Sequence, residues 1–235
     1  MHSDDREIGK VLGRREMLAL LGATGAVLAG LPARSGAQAM PACVVTPAQM
    51  DGPFFTDVRL NRADIRSDPT DKSVREGAPL TLALRVATVG AAGCTALPGA
   101  MVDVWHCDAA GAYSDSDQTT AGRKFLRGYQ LTDANGMARF TTIYPGWYPG
   151  RAVHIHFKVR VVSAGPHLGH EFASQLYFDD AVTDRVLARA PYSVRGRRVQ
   201  NSDDGLFRRG GKQLLLALSE SGKGYAGEFA VGLKT

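Results

Sequence analysis

Cysteine is scarce in this chain of 235 residues, which carries only Cys43, Cys94 and Cys107 and no CxxC pair. That spacing argues against a zinc ribbon and allows at most one internal disulfide, without choosing among the three pairings. A glycine-rich dinucleotide fingerprint is missing, and so is a lysine or arginine run interleaved with aromatics. The first absence speaks against a nicotinamide or flavin cofactor, the second against a nucleic-acid partner. The chain also lacks internal repeats and long linkers, and its 44% hydrophobic and 22% charged residues suit one good-sized domain.

Long apolar runs are equally rare. The one stretch of note, Met17 to Leu31, is shorter than the roughly 20 residues that a membrane-spanning helix needs. Arg14-Arg15 precede it and Ala37-Gln38-Ala39 follow, a small-x-small cleavage pattern. Residues 1–39 therefore read as an export signal, either twin-arginine-like or plainly secretory, and residues 40–235 as the mature domain. The expectation is a periplasmic or secreted protein, without a membrane anchor once the signal is removed, in a compartment that permits disulfides. Beyond the signal stand 23 basic and 19 acidic residues, a mild excess that favours anionic small molecules at most.

What is present is a succession of strand patterns. Leu80, Leu82, Leu84 and Val86 alternate with polar or small residues, and similar segments run over 102–105, 129–132, 138–144, 153–162, 175–178, 213–218 and 228–233. Turn signals such as Asp133-Ala-Asn-Gly136 and Pro145-Gly146 separate them. One helix is expected over 181–190, capped by Asp179 or Asp180 and stopped by Pro191. The fold class is all-β, an antiparallel β-sandwich with one short helical insertion and long active-site loops.

Within the strand at 153–162 lies RAVHIHFKV, residues 151–159, which places two of only six histidines one residue apart. Side chains alternate across a strand, so Val153, Ile155, Phe157 and Val159 share one face while His154, His156 and Lys158 share the other. Such a pair belongs either to the solvated face of an antiparallel sheet or to a metal site, where neighbouring imidazoles converge on one ion. The preceding loop, TIYPGWYPGR, carries Tyr148 and Arg151 among two prolines and two glycines that force a tight approach to the strand. Another tyrosine, Tyr113, follows a strand and a glycine turn in VDVWHCDAAGAYSD.

Four blocks in order, GAMVDVWHCDAAGAYSD, LTDANGMARFTTIYPGWYPGR, HIHFKV and SQLYFDD, resemble the intradiol ring-cleavage dioxygenases, the superfamily of catechol 1,2-dioxygenase and protocatechuate 3,4-dioxygenase. The resemblance covers residues 99 to about 180, with a weaker match at Gly52-Pro53-Phe54-Phe55. Because no long helical segment stands before the strands, it points to the secreted bacterial branch. The assembly state, a homodimer included, is left open.

The resemblance implies that Tyr113, Tyr148, His154 and His156 hold a non-haem Fe(III). It also implies that a catechol-type aromatic diol is cleaved by O2 to a muconate-type dicarboxylic acid. Two phenols suit ferric iron, a hard cation that favours anionic oxygen, better than zinc or calcium. By the same resemblance Tyr148 is the ligand that leaves and accepts a substrate proton, while Arg151 stabilises negative charge in the substrate and Gln175 helps to hold it. Phe54, Phe55 and Trp147 are candidates for the walls of an aromatic pocket. His106 reads as structural, and His167 and His170 as loop residues.

Two other readings compete. A cupin-like metalloenzyme also carries HxH on a strand, but usually with a glutamate soon after, where this chain has Phe157-Lys158-Val159-Arg160. A non-catalytic secreted β-sandwich that binds a partner would have no need of all four ligand candidates together with Arg151 and Gln175.

Overall fold

The computed structural model describes residues 43–162, 168–192 and 196–234. The expected export segment, 1–39, and His167 lie outside the described residues. Two sheets stack face to face. The first contains β1 (Pro79–Gly90), β2 (Gly93–Ala96), β5 (Met137–Ile143), β8 (Leu218–Ser221) and β9 (Gly224–Lys234), in the order β2-β1-β9-β8 with β5 also paired to β1. The second runs β4 (Arg127–Leu131), β3 (Met101–Trp105), β6 (His154–Val162) and β7 (Leu168–Tyr177).

Alternation explains the stacking. Leu80, Leu82, Leu84 and Val86 of β1 and Phe140 of β5 meet Val102 and Val104 of β3 and Ile155, Phe157 and Val159 of β6, all buried in one cluster. Burying each such side chain contributes roughly 1.5–3 kcal/mol, which fixes the register of both sheets against slippage by one residue.

The expected all-β sandwich is present, with one parallel ladder, β9 on β1 over Leu80↔Tyr225 to Val89↔Lys234, among otherwise antiparallel strand pairs of the described residues. Two expectations need correction. Residues 213–218 do not form a strand: a 3-10 turn covers Gly211–Leu214, and β8 begins only at Leu218. The left-handed Gly210 (φ 102°) and the packing of Gly211 on the Phe207 ring turn the chain there, although Leu214 and Leu216 are buried as their spacing suggests. The helix α1 (Asp180–Leu187) ends three residues early, with Asp179 as its cap accepting from Ala181 and Val182. Among the described residues no helix is long and apolar enough to cross a membrane.

Cys43 and Cys94 form the disulfide, while Cys107 is free and buried. The bridge ties the segment that leads into the sandwich to β2. That segment then crosses the outer face of the second sheet: Gln49 N–H donates to Ala173 O (2.9 Å), Ser174 Oγ donates to Pro47 O (2.7 Å), and Asn61 bridges to Tyr129. It roofs the histidine face of β6, so His154, His156, Lys158 and Arg160 are all buried. Arg160 is neutralised there by Asp103 (2.8 Å) and Asp57 (3.1 Å), as a buried cation requires. Closing a loop of 51 residues contributes up to about 4 kcal/mol in the chain-entropy account. The double substitution Cys43→Ser, Cys94→Ser is expected to lower urea stability by about 2–4 kcal/mol. Reductant should do the same to the wild type and nothing to the variant.

Candidate metal centre

The site is built on one row of the second sheet. Register pairs Arg127 with Trp105, Trp105 with His156, and His156 with Gln175, so these four share a face, with His154 opposite Tyr177 one step along. Two loops descend on this face. Asp108 shapes the first by accepting from Ala110 N (3.0 Å) and Ala112 N (2.9 Å), and it delivers Tyr113. The second, Pro145–Gly150, delivers Tyr148.

The two loops nest through glycine. A Cβ on Gly111, which sits at φ 87°, would overlap the carbonyl oxygen of Trp147, and one on Gly146 would stand 2.5 Å from Ala109 O. Arg127 braces the arrangement from β4: Nε donates to Ser114 Oγ (2.6 Å) and Nη1 to Phe54 O (3.1 Å). The Phe54 ring then stacks on Tyr113 (4.4 Å, 21°) and meets Tyr148 edge-on (6.0 Å).

At the centre, His154 Nε2 lies 3.0 Å from His156 Nε2, 3.2 Å from the Tyr148 hydroxyl and 3.4 Å from the Tyr113 hydroxyl. His154 Nδ1 donates to the Ala152 carbonyl (2.6 Å), which fixes the tautomer and leaves Nε2 with a single lone pair. Two hydroxyls and a second ring nitrogen thus crowd a single lone pair, which accepts one hydrogen bond. An ion at this point would resolve the crowding. Ligands about 2.1 Å from a common centre, at about 90–109°, lie about 3.0–3.4 Å apart, the separations found here.

Electrostatics agree with that fit. Burial, then Arg151, lowers the His154 pKa to about 3, and burial, then His154, holds His156 well below its ordinary value. Both rings are therefore neutral, the form in which an imidazole can bind a metal. Burial pushes both phenols above their usual range, Tyr113 strongly, so a cation must be present before either ionises. His156 Nδ1 is buried without a hydrogen-bond partner, its ring stacked on Trp105 (5.0 Å, 7°) and approached by the backbone of Gly52.

Arg151 borders the ligands. Its Nη2 donates to Gln175 Oε1 (2.5 Å) and to the Tyr177 hydroxyl (3.2 Å), and its Nε to Asp204 Oδ2 (2.9 Å). Gln175 in turn donates to Met50 O (3.2 Å), and Tyr177 donates to Gln49 Oε1 (2.9 Å). Phe55 packs edge-on against Trp105 (4.9 Å) beneath the Lys158 ammonium (4.1 Å). Trp147 lies apart from these rings, packed on the sandwich core and lining a separate cavity of about 310 Å3 with Leu187 and Arg198.

His106 faces elsewhere: Nδ1 donates to Cys107 O (2.8 Å) and Nε2 meets the Thr142 hydroxyl (2.6 Å). Tyr144 is in the core, bonded to Thr183 (2.7 Å), and His170 lies on β7 opposite Val161, exposed but not in the expected loop. Sequence reasoning missed Asp204, Tyr177 and Gln49. The alternation of β7 places Tyr177 on the face of Gln175 and offered a signal for it, but nothing comparable marked the other two.

A two-sheet sandwich with two phenols and two imidazoles meeting on one sheet face defines a class, and the sequence profile described as "Dioxygenase" matches residues 50–206. The chain belongs to the intradiol ring-cleavage dioxygenase family. It is similar to the protocatechuate 3,4-dioxygenase beta chain of Burkholderia cepacia, at 31% identity over 56% of this chain and 61% of that protein. Similarity to the catechol 1,2-dioxygenase of Acinetobacter baylyi is 34% over 44% of this chain and 32% of that one. The chain thus spans from about a third to three fifths of these relatives. Among solved structures, an intradiol ring-cleavage dioxygenase from Tetranychus urticae superposes with a TM-score of 0.68 at 29% identity, covering 82% of this chain and 95% of that one.

Proposed function

We propose that this protein is a non-haem Fe(III)-dependent dioxygenase that cleaves a catechol-type aromatic diol with O2 between its two hydroxyl-bearing carbons, giving a muconate-type dicarboxylic acid. The observation that carries this reading is the convergence of Tyr113, Tyr148 and His156 on the single lone pair of His154. Relatives named as acting on protocatechuate, catechol and hydroxyquinol support the substrate class.

Ferric iron, when bound, supplies the charge that turns phenols into ligands and makes a bound diolate reactive toward O2. The residues divide the remaining tasks. Tyr113, fully buried under Phe54, is the fixed phenolate. Tyr148, half-buried on its proline-glycine loop, is the one with room to leave and to take up a substrate proton at its hydroxyl oxygen. Arg151 holds a positive charge beside the ligands, suited to stabilising negative charge that develops on the ring. Gln175 keeps that guanidinium in place, and Phe54 and Phe55 offer flat surfaces to an aromatic substrate.

We also propose that the protein works outside the cytoplasm, in the periplasm or secreted. The export pattern of residues 1–39 supports this, as does the Cys43–Cys94 disulfide, which needs an oxidising compartment.

Oxygen uptake over a panel of catechols tests the reaction. The expected result is one O2 consumed per diol and both atoms of 18O2 recovered in a dicarboxylic acid. A ring-opened aldehyde, or no uptake by iron-loaded protein across the panel, would reject it.

A further inference from the structure

Asp204 lies outside every ligand-bearing loop, yet its buried carboxylate gathers four N–H donors. Oδ1 accepts from Leu206 N (2.7 Å) and Phe207 N (3.1 Å), which clamps the carboxylate within its own turn. Oδ2 reaches back to the Pro145–Gly150 loop's exit, accepting from Ala152 N (2.8 Å) and Arg151 Nε (2.9 Å). Ala152 is the residue whose carbonyl fixes the His154 tautomer. One carboxylate therefore grips the site's fixed cation directly and its central imidazole through a single residue.

The grip on Arg151 is complementary to that of Gln175. Asp204 holds Nε, while Gln175 and Tyr177 hold Nη2. The guanidinium is thus pinned along its Nε–Nη2 edge, with Tyr148 close enough to feel its charge. We propose that Asp204 is a positioning residue that sets the orientation of Arg151 and, through Ala152, of the His154 ring. Its consequence for turnover rests on the dioxygenase reading; its consequence for the backbone does not.

Asn has the same shape but cannot accept four N–H bonds, since its amide would point two hydrogens at two donors. In Asp204→Asn, amide exchange at Ala152 in the purified full-length protein is expected to rise at least tenfold. With a catechol the iron-loaded variant should lose about tenfold to a hundredfold in kcat, on the scale of a lost partner that supports a site group, with KM changing less than threefold.

In a double-mutant cycle the kcat losses of Asp204→Asn and Arg151→Met should fall short of adding, since the first acts in part through the second. Unchanged Ala152 exchange, or fully additive losses, would overturn the proposal. Should Asp204→Asn not fold, wild-type exchange decides: Ala152 N–H must rank among the slow amides, and exchange at the rate of an open loop refutes the role. Wild-type protein without turnover would sink the dioxygenase reading alone, leaving the exchange result to judge Asp204.

Discussion

His154→Ala should leave the purified protein with less than a tenth of the wild-type iron and should lower diol-dependent oxygen uptake by at least about a thousandfold, beyond the 10- to 100-fold typical of groups that merely support a ligand. The reason is its place in the centre. His154 Nε2 stands within 3.4 Å of each of the other three donors. Removing it would delete a proposed ligand and the point around which the others gather. The sheet should survive, because His154 points out of the sandwich core and its strand neighbours Ile155 and Phe157 carry the packing. Metal analysis beside a thermal melt checks both halves. A variant that keeps its iron would show that the imidazole is not a ligand.

The second large effect is predicted for a residue with no chemistry at all. Gly111→Ala asks an alanine to hold φ 87°, at about 1–2 kcal/mol, and drives its Cβ into the Trp147 carbonyl. Because Gly111 and Trp147 belong to the loops of Tyr113 and Tyr148, relief of that overlap must separate the two phenols. The expected outcome is a loss of roughly 2–4 kcal/mol in urea stability, as strain at a special backbone position adds to local repacking. Iron content should fall at least tenfold with it. Gly122→Ala, also at positive φ but with open space around it, is the control: it should cost only the backbone strain and retain iron.

Much of this site was legible before any coordinates. Period-two alternation assigned His154 and His156 to one face and Ile155 and Phe157 to the other, and the glycines and prolines around Tyr148 announced a loop bent toward that face. What alternation does not encode is the covering of a face. A polar stripe of His154, His156, Lys158 and Arg160 reads equally well as solvated; the path of residues 43–66 and the loops of Tyr113 and Tyr148 bury it.

Ladder direction is silent for the same reason, since β9 has the same alternation whether it runs parallel or antiparallel to β1. Asp204 was hidden by its neighbours. In Asn201-Ser-Asp-Asp-Gly205 two adjacent acids before a glycine describe an exposed loop, whereas the fold turns one of them inward onto Arg151. The disulfide partner, too, depended on which cysteine met the edge of β1 through β2.

Resonance Raman spectroscopy of the protein as purified, excited within its visible absorption, tests the central claim most directly. Two tyrosinates on one ferric ion predict a reddish protein with strongly enhanced tyrosinate ring vibrations, reduced by Tyr113→Phe and by Tyr148→Phe separately and absent from the double variant. A colourless protein holding stoichiometric zinc, or enhanced bands indifferent to both substitutions, would contradict it.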